Sequence, residues 1–388
     1  MNNVFLYKCP DYNKCKDAIE KLVNDFEVLK NIKCGTKVLI KANLISALPP
    51  EKAATTNYIL LSFLVDYLNG KGAIVTVGDS PGGLFTKAHL ESVYKTTKYN
   101  EIKANLNYDL ATKKVNFDNA KVLKNFEYTS YLDGYDIKIN FCKLKTHAMM
   151  KMSANVKNLF GTIPGLTKTE YHYRFPNHND FANMLIDLNE FFKFDINITD
   201  AIYGMDGNGP TMGDPKKIGL ILASENPYAL DYICAKIINL DPMVVPTVKE
   251  SYNRNLFDIK KIYLNDDINK YIVKDFNNIG NISDIKFYNH SIFGGVVKKI
   301  FDNKPYCKKS KCIGCGKCAT MCPQKAIKMI NKKPVIDRKK CIKCYCCQEF
   351  CPVGAMQIKS SMINKYRHGG KKWKELLFLV VEVAFLRY

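Results

Sequence analysis

At 388 residues, 47% apolar and 24% charged, the chain is too long for one ordinary domain and too rich in core formers for a disordered one. Its formal net charge of +21 is unevenly spread: residues 296–388 hold 22 Lys and Arg against 5 Asp and Glu, and residues 1–295 hold 36 against 32. The last quarter therefore suits an acidic protein, a membrane surface or nucleic acid, and its basicity says nothing about the fold.

The chain opens MNNVFLYKCPDYNKC, without a basic stretch leading into an apolar one, so a cytoplasmic location is the expectation. Lys37–Leu44 (KVLIKANL) reads as a buried strand running into a polar loop at Ser46–Lys52. Tyr58–Asn69 has apolar residues at helical spacing and stops at Gly70 and Gly72. Ala73–Val77 is a second strand entering the turn Gly78-Asp-Ser-Pro-Gly-Gly83. Further strands are expected at Ile137–Phe141, Ile196–Ala201 and Ile218–Ala223, with helices at Phe181–Phe192 and Pro227–Asn239 between and after them. Strands alternating with helices predict an α/β domain over residues 1–295, its mixed or mostly parallel sheet covered on both faces. No strand precedes G-x-G-x-x-G or a P-loop, so no standard nucleotide site is indicated, and a further flavin or metal is left open.

Such sheets gather polar groups in a crevice at the carboxyl ends of their strands. The first strand brings Lys41 and Asn43 there, and the second brings Asp79 and Ser80 on a Gly-rich turn whose amides suit an anion or simply close a tight turn. The third ends in Cys142-Lys143-Leu-Lys145-Thr-His147, with Lys143 and Lys145 on one side of the strand. Asn158, His172, Asp206 and Asn208 follow in later loops. Lys41, Asn43, Ser80, Lys143, Lys145, Asn158 and Asn208 are the expected substrate-binding groups. His147, His172, Asp79 and Asp206 are the expected proton-handling ones, and neither histidine has a metal-ligand partner at helical spacing.

Ten of the 15 cysteines lie between Cys307 and Cys351. Two copies of C-x2-C-x2-C-x3-C-P stand there, Cys312-Cys315-Cys318-Cys322-Pro323 and Cys341-Cys344-Cys347-Cys351-Pro352, which is the signature of two-cluster bacterial ferredoxins. Three thiolates on a curling loop reach three irons of one cubane, and the fourth reaches the other cluster. The pattern assigns one [4Fe–4S] cluster to Cys312, Cys315, Cys318 and Cys351, and a second to Cys341, Cys344, Cys347 and Cys322. A zinc ribbon leaves the third cysteine and the Cys-Pro of each copy unexplained. Cys307 and Cys346 fall outside the pattern and read as packed thiols. Residues 296–306 are the expected linker, 307–359 a small α+β ferredoxin-like domain with a hairpin turning at Asn331–Lys333, and 360–388 a basic tail. The tail's apolar run Leu376–Leu386 is too short to span a bilayer and suits a membrane surface or, preferably, a fold-back onto the protein.

KVLIKANL, PPEKAATTN, VTVGDSPGG, the stretch from NFCKLKTH to YHYRFP, the stretch from DAIYGMDG to PYALD and the appended ferredoxin together resemble the family called domain of unknown function 362. The resemblance runs over nearly all of residues 35–355 and implies an iron–sulfur protein of bacteria and archaea, mostly anaerobes, with no reaction attached. The sequence thus reads as an oxidoreductase that passes single electrons to a small, anionic substrate or cofactor in the α/β domain. The rival is a non-catalytic carrier or adaptor for a redox partner, which predicts a shallow surface in place of a closed polar pocket. An acidic ferredoxin or flavodoxin is the expected electron partner of the lysine-rich module. Nucleic acid is the weakest partner class, since residues 296–388 hold three arginines and no RNA-binding aromatic motif.

Overall fold

The computed structural model describes residues 2–278 and 303–359. The expected tail, and residues 296–302 of the expected linker, lie outside them. Strands β1 (Asn2–Lys8), β2 (Lys37–Lys41), β3 (Ile74–Gly78) and β4 (Asn105–Leu106) come first, followed by the separate hairpin of β5 (Thr112–Asn116) and β6 (Asn125–Thr129). Then come β7 (Ile137–His147), β8 (Lys151–Ser153), β9 (Ile196–Asp206), β10 (Asp214–Ser224) and β11 (Ile262–Leu264). They form one sheet in the order β11-β1-β10-β9-β7-β2-β3-β4, with β8 folded back on the end of β7. The run from β9 through β7, β2 and β3 to β4 is parallel, and β10 is antiparallel to both β9 and β1.

Side chains alternate across this sheet and build a core on each face. Val38 and Ile40, Ile139 and Phe141, Ile221 and Ala223 join Leu22, Leu61, Leu64 and Tyr94 from the helices Lys16–Asp25, Tyr58–Gly70 and Lys87–Thr96. Leu39, Cys142, Leu144, Leu220 and Leu222 join Phe181, Leu185 and Ile233 from His178–Phe192 and Pro227–Ile237. The central strands are covered on both sides, as a parallel sheet requires.

The strands β7 and β9 are longer than their apolar runs. Each has 11 residues, and β7 carries Lys143, Lys145 and His147 inside the strand, all buried. The strand therefore runs on through Cys142–His147, beyond the apolar run Ile137–Phe141.

The cysteine-rich part is a small unit of two hairpin-like pairs. Strands β13 (Ile327–Ile330) and β14 (Lys333–Ile336) pair antiparallel around the expected turn, and β12 (Lys304–Cys307) pairs with β15 (Met356–Lys359). This pairing begins at Lys304, inside the stretch read from sequence as linker. Among the described residues no helix is long and apolar enough to cross a membrane.

Phe141 sits fully buried near the middle of the sheet. Phe141→Ala is expected to lower unfolding free energy by about 3–5 kcal/mol, read by urea denaturation; a loss below about 1 kcal/mol contradicts this packing.

Candidate functional site

The parallel strands β2, β3 and β7 end side by side, so Lys41, Asp79 and Lys145 come together without any shared sequence segment. The buried Lys41 Nζ donates to Asp79 Oδ1 at 2.7 Å, to the Ala42 carbonyl at 2.9 Å and to Asn158 Oδ1 at 3.2 Å. All three ammonium hydrogens are used. Asp79 accepts further from the amides of Ser80 and Leu44. Lys41 and Asp79 are thus a satisfied ion pair that holds the turn, and neither is spare for a ligand or for proton transfer. A Cβ on Gly161 would fall on Asp79 Oδ1 and Lys41 Nζ, so only glycine fits there. The Ser80 amide also donates to the Gly161 carbonyl, and the Gly82 amide to that of Ile45. These two amides of the Gly-rich turn are spent on the protein and not on an anion.

A cleft with about 80 Å³ of water-accessible space, partly open to solvent, lies above this pair. Asn43, Asp79, Ser80, Lys145, Asn158 and His172 from the expected set line it, together with Ser153, Lys157, Lys168, Phe160 and, from the cysteine-rich unit, Glu349 and Phe350. Lys145 donates to Asn43 Oδ1 at 2.6 Å and to the Ala54 carbonyl at 2.7 Å, leaving one hydrogen unspent. Lys168 donates to the Ser80 carbonyl and hydroxyl and to the Ile163 carbonyl. Among the described residues Lys157 has no hydrogen bond or ion pair, and its ammonium stands 5.5 Å from the Phe160 ring centre. Lys157 and Asn158 are presented by a short turn whose first amides, Asn155 and Val156, donate to the buried carboxylate of Asp231.

Burial, and then the Lys157 charge, pull the Lys145 ammonium down to about 7. Burial likewise pulls Lys168 down to about 7, against the nearby Asp79. His172 is stacked on Phe181 at 4.5 Å, and burial drives it down to about 3, so it is neutral. Its Nδ1 is buried with no partner among the described residues. His147 lies behind the cleft wall. Its Nδ1 accepts from the amides of Met149 and Met150, which leaves the ring proton on Nε2, 2.9 Å from Glu349 Oε1 but not aligned for a straight hydrogen bond. Burial pushes the Glu349 carboxyl up, but His147, Lys157 and His172 outweigh it and hold it at about 2.

Three expected residues stand elsewhere. Lys143 pairs with Asp200 at 3.0 Å and donates to the Tyr12 hydroxyl at 2.6 Å, one strand over from the cleft. Asp206 accepts from the Asn277 amide at the far end of β9. The Asn208 carbonyl accepts from Gln348, so its loop docks the cysteine-rich unit instead of lining the cleft.

That unit meets the cleft through a single segment. Glu349 and Phe350 lie between Cys347 and Cys351, and a Cβ on Gly82 would come 2.7 Å from the Phe350 ring. On the other side, Cys312, Cys315, Cys318 and Cys351 line one cavity of about 310 Å³. Cys351 Sγ accepts from the amides of Ala355 and Met356, and Cys322 Sγ from that of Ala326, as cluster thiolates do. Burial and then the thiols of Cys344, Cys341, Cys322 and Cys318 raise Cys347. The donor set and its cradle fit an iron–sulfur cluster.

Lys41→Met leaves Asp79 buried without its cation and is expected to cost about 3–5 kcal/mol, while adding Asp79→Asn recovers part of it; denaturation of the single and double variants tests this. Lys145 and Lys168 give a pH signature. Between about 7 and the ordinary lysine value of 10.5, the unfolded chain holds protons that the folded chain has released, so stability rises with pH across that window. Below it the full cost of burying the charges is present. Wild type should gain stability from pH 7 to 9 relative to Lys145→Met, by at most about 1.4 kcal/mol per pH unit; parallel slopes contradict it.

Comparison with known proteins agrees with this layout. A family model described as domain of unknown function (DUF362) matches residues 38–236, and a 4Fe-4S dicluster domain model matches residues 311–355. A thylakoid-associated protein of Synechocystis is 31% identical over 226 residues, 56% of this chain and 67% of that protein. The lactate racemase apoprotein from Thermoanaerobacterium thermosaccharolyticum aligns with a TM-score of 0.43 at 11% identity, over 61% of this chain and 57% of that one. The chain belongs to the DUF362 family and carries a 4Fe–4S ferredoxin-type domain after it.

Proposed function

We propose that this protein is an oxidoreductase that gives single electrons to a small anion held in the lysine-rich cleft. The observation that carries the reading is the position of Glu349 and Phe350. They wall the cleft and lie between Cys347 and Cys351, which the sequence pattern assigns to different clusters. Two [4Fe–4S] clusters, held by Cys312, Cys315, Cys318 and Cys351 and by Cys341, Cys344, Cys347 and Cys322, supply one-electron chemistry when bound.

The remaining residues have roles that follow from their surroundings. Lys157 and Lys145 attract the anion in a cleft whose walls exclude most water, which makes each charge count for more than on a surface. Lys145, held at about 7, can give or take a proton at neutral pH. Asn43, itself held by Asn158, fixes Lys145, and Lys41 with Asp79 fixes the floor. Cys315 is exposed among Lys308, Lys309, Lys311 and Lys317, also exposed, so an acidic redox protein would dock and deliver electrons on that face. A cleft lined by lysines beside the cysteines favours this reading over a carrier that binds only proteins.

The test is an anaerobic one on the full chain. About eight irons are expected per chain. A panel of small anions is then mixed with the chemically reduced protein while cluster absorbance is followed. At least one anion should reoxidise the clusters in wild type and at least about tenfold more slowly in Lys157→Gln. Reoxidation only by a protein partner, with no anion effective, supports the carrier reading instead.

A further inference from the structure

We infer that the cleft takes a flat, conjugated carboxylate, with its carboxylate on Lys157 and its unsaturated body against Phe350. The inference rests on the anionic-cleft reading above and goes further by naming the ligand class.

The argument begins with what the polar groups have left to give. Lys41 and Lys168 have each placed three hydrogens on protein oxygens. Lys145 has placed two. Lys157 has placed none among the described residues, and the buried His172 Nδ1, on the cleft wall, has no partner there either. A buried polar atom left unpaired is unfavourable. Lys157 therefore asks for acceptor oxygens, and a carboxylate has two. Glu349 does not meet the need, since its Oε1 is turned toward His147.

The other wall is apolar. Ile45 and Phe350 bring no side-chain polar atom to the cleft, so the part of a ligand that rests on them is apolar. Aromatic walls favour a flat π-system. Phe350 also sits on the segment between the cluster ligands Cys347 and Cys351. A molecule reduced in one-electron steps must hold an unpaired electron, and conjugation with a carboxylate spreads that electron while nearby cations stabilise the added charge. Shape, charge and redox behaviour thus select the same class.

The probe is trans-cinnamate, measured by calorimetry on the anaerobically purified, cluster-containing full chain. One cinnamate should bind per chain, and its uncharged amide should bind at least about tenfold more weakly. Lys157→Gln should weaken cinnamate binding by a similar factor with iron content unchanged, and Lys157→Arg should retain most of it, which separates lost charge from lost fold. Saturated 3-cyclohexylpropionate should bind more weakly than cinnamate. No cinnamate binding at millimolar concentration, equal binding in Lys157→Gln, equal binding of the saturated acid, or binding of inorganic phosphate alone overturns the inference. Binding is read without electron transfer, so the two readings fail separately. Cinnamate that binds but leaves reduced clusters untouched counts against the oxidoreductase and not against the ligand class. Another anion that reoxidises the clusters while cinnamate does not bind does the reverse.

Discussion

Placing lysine ammonium groups out of water at the ends of three parallel strands is the constraint on which the rest of this structure depends. Each buried charge carries a desolvation cost of several kcal/mol unless anions or oxygens surround it. The fold answers with carbonyls and asparagine side chains for Lys145, with Ser80 and a carbonyl for Lys168, and with Asp79 for Lys41. Gly161 is needed because the Lys41–Asp79 pair occupies the space a side chain would take. Two carboxylates, Asp79 and Glu349, face four ammonium groups, Lys41, Lys145, Lys157 and Lys168, in and beneath the cleft. That surplus of lysines over carboxylates is the basis on which the cleft is proposed to take an anion.

The same excess explains why the ferredoxin-type domain sits where it does. Glu349 brings a carboxylate into the cationic cleft, Gln348 donates to the carbonyls of Asn208 and Gly209, and Phe350 packs on Gly82. Thr211 donates to the Glu349 carbonyl. Three consecutive residues on the segment between two cysteine ligands make these contacts. The polar interface and the proposed electron route are thereby the same stretch of chain, so the cysteine-rich unit cannot leave the cleft without uncovering the lysines.

Much of this was legible in the sequence, for reasons that also explain the misses. The cysteine spacing is chemistry written at fixed intervals, and the apolar runs of β2, β3 and β9 announce themselves by period. Lys41, Asn43, Ser80, Lys145, Asn158 and His172 meet because strand ends meet, which topology dictates in advance. The apolar run marks β7 only as far as Phe141, and Lys143 and Lys145 beyond it suit an anion site or a solvated edge. The structure buries both, with partners from distant segments. Asp206 and Asn208 looked like site residues because they follow a strand, but β9 runs past the cleft before it ends. Lys168 and Glu349 carried no local signal. Lys168 sits on a short helix after a Pro-Gly turn, and Glu349 lies in a segment whose cysteines dominate any reading. Lys157 had a signal in hindsight, a lysine beside asparagines at the start of a helix too short to bury it.

The most direct test of the account is a crystal structure of the cluster-loaded protein with bromide as the anion probe and anomalous scattering recorded for both bromine and iron. The account predicts bromide at Lys157, with iron held by Cys347 and Cys351 on the other side of Glu349 and Phe350. A cleft without bromide while other surface sites are filled, or iron on a face of the module turned away from the cleft, would contradict it.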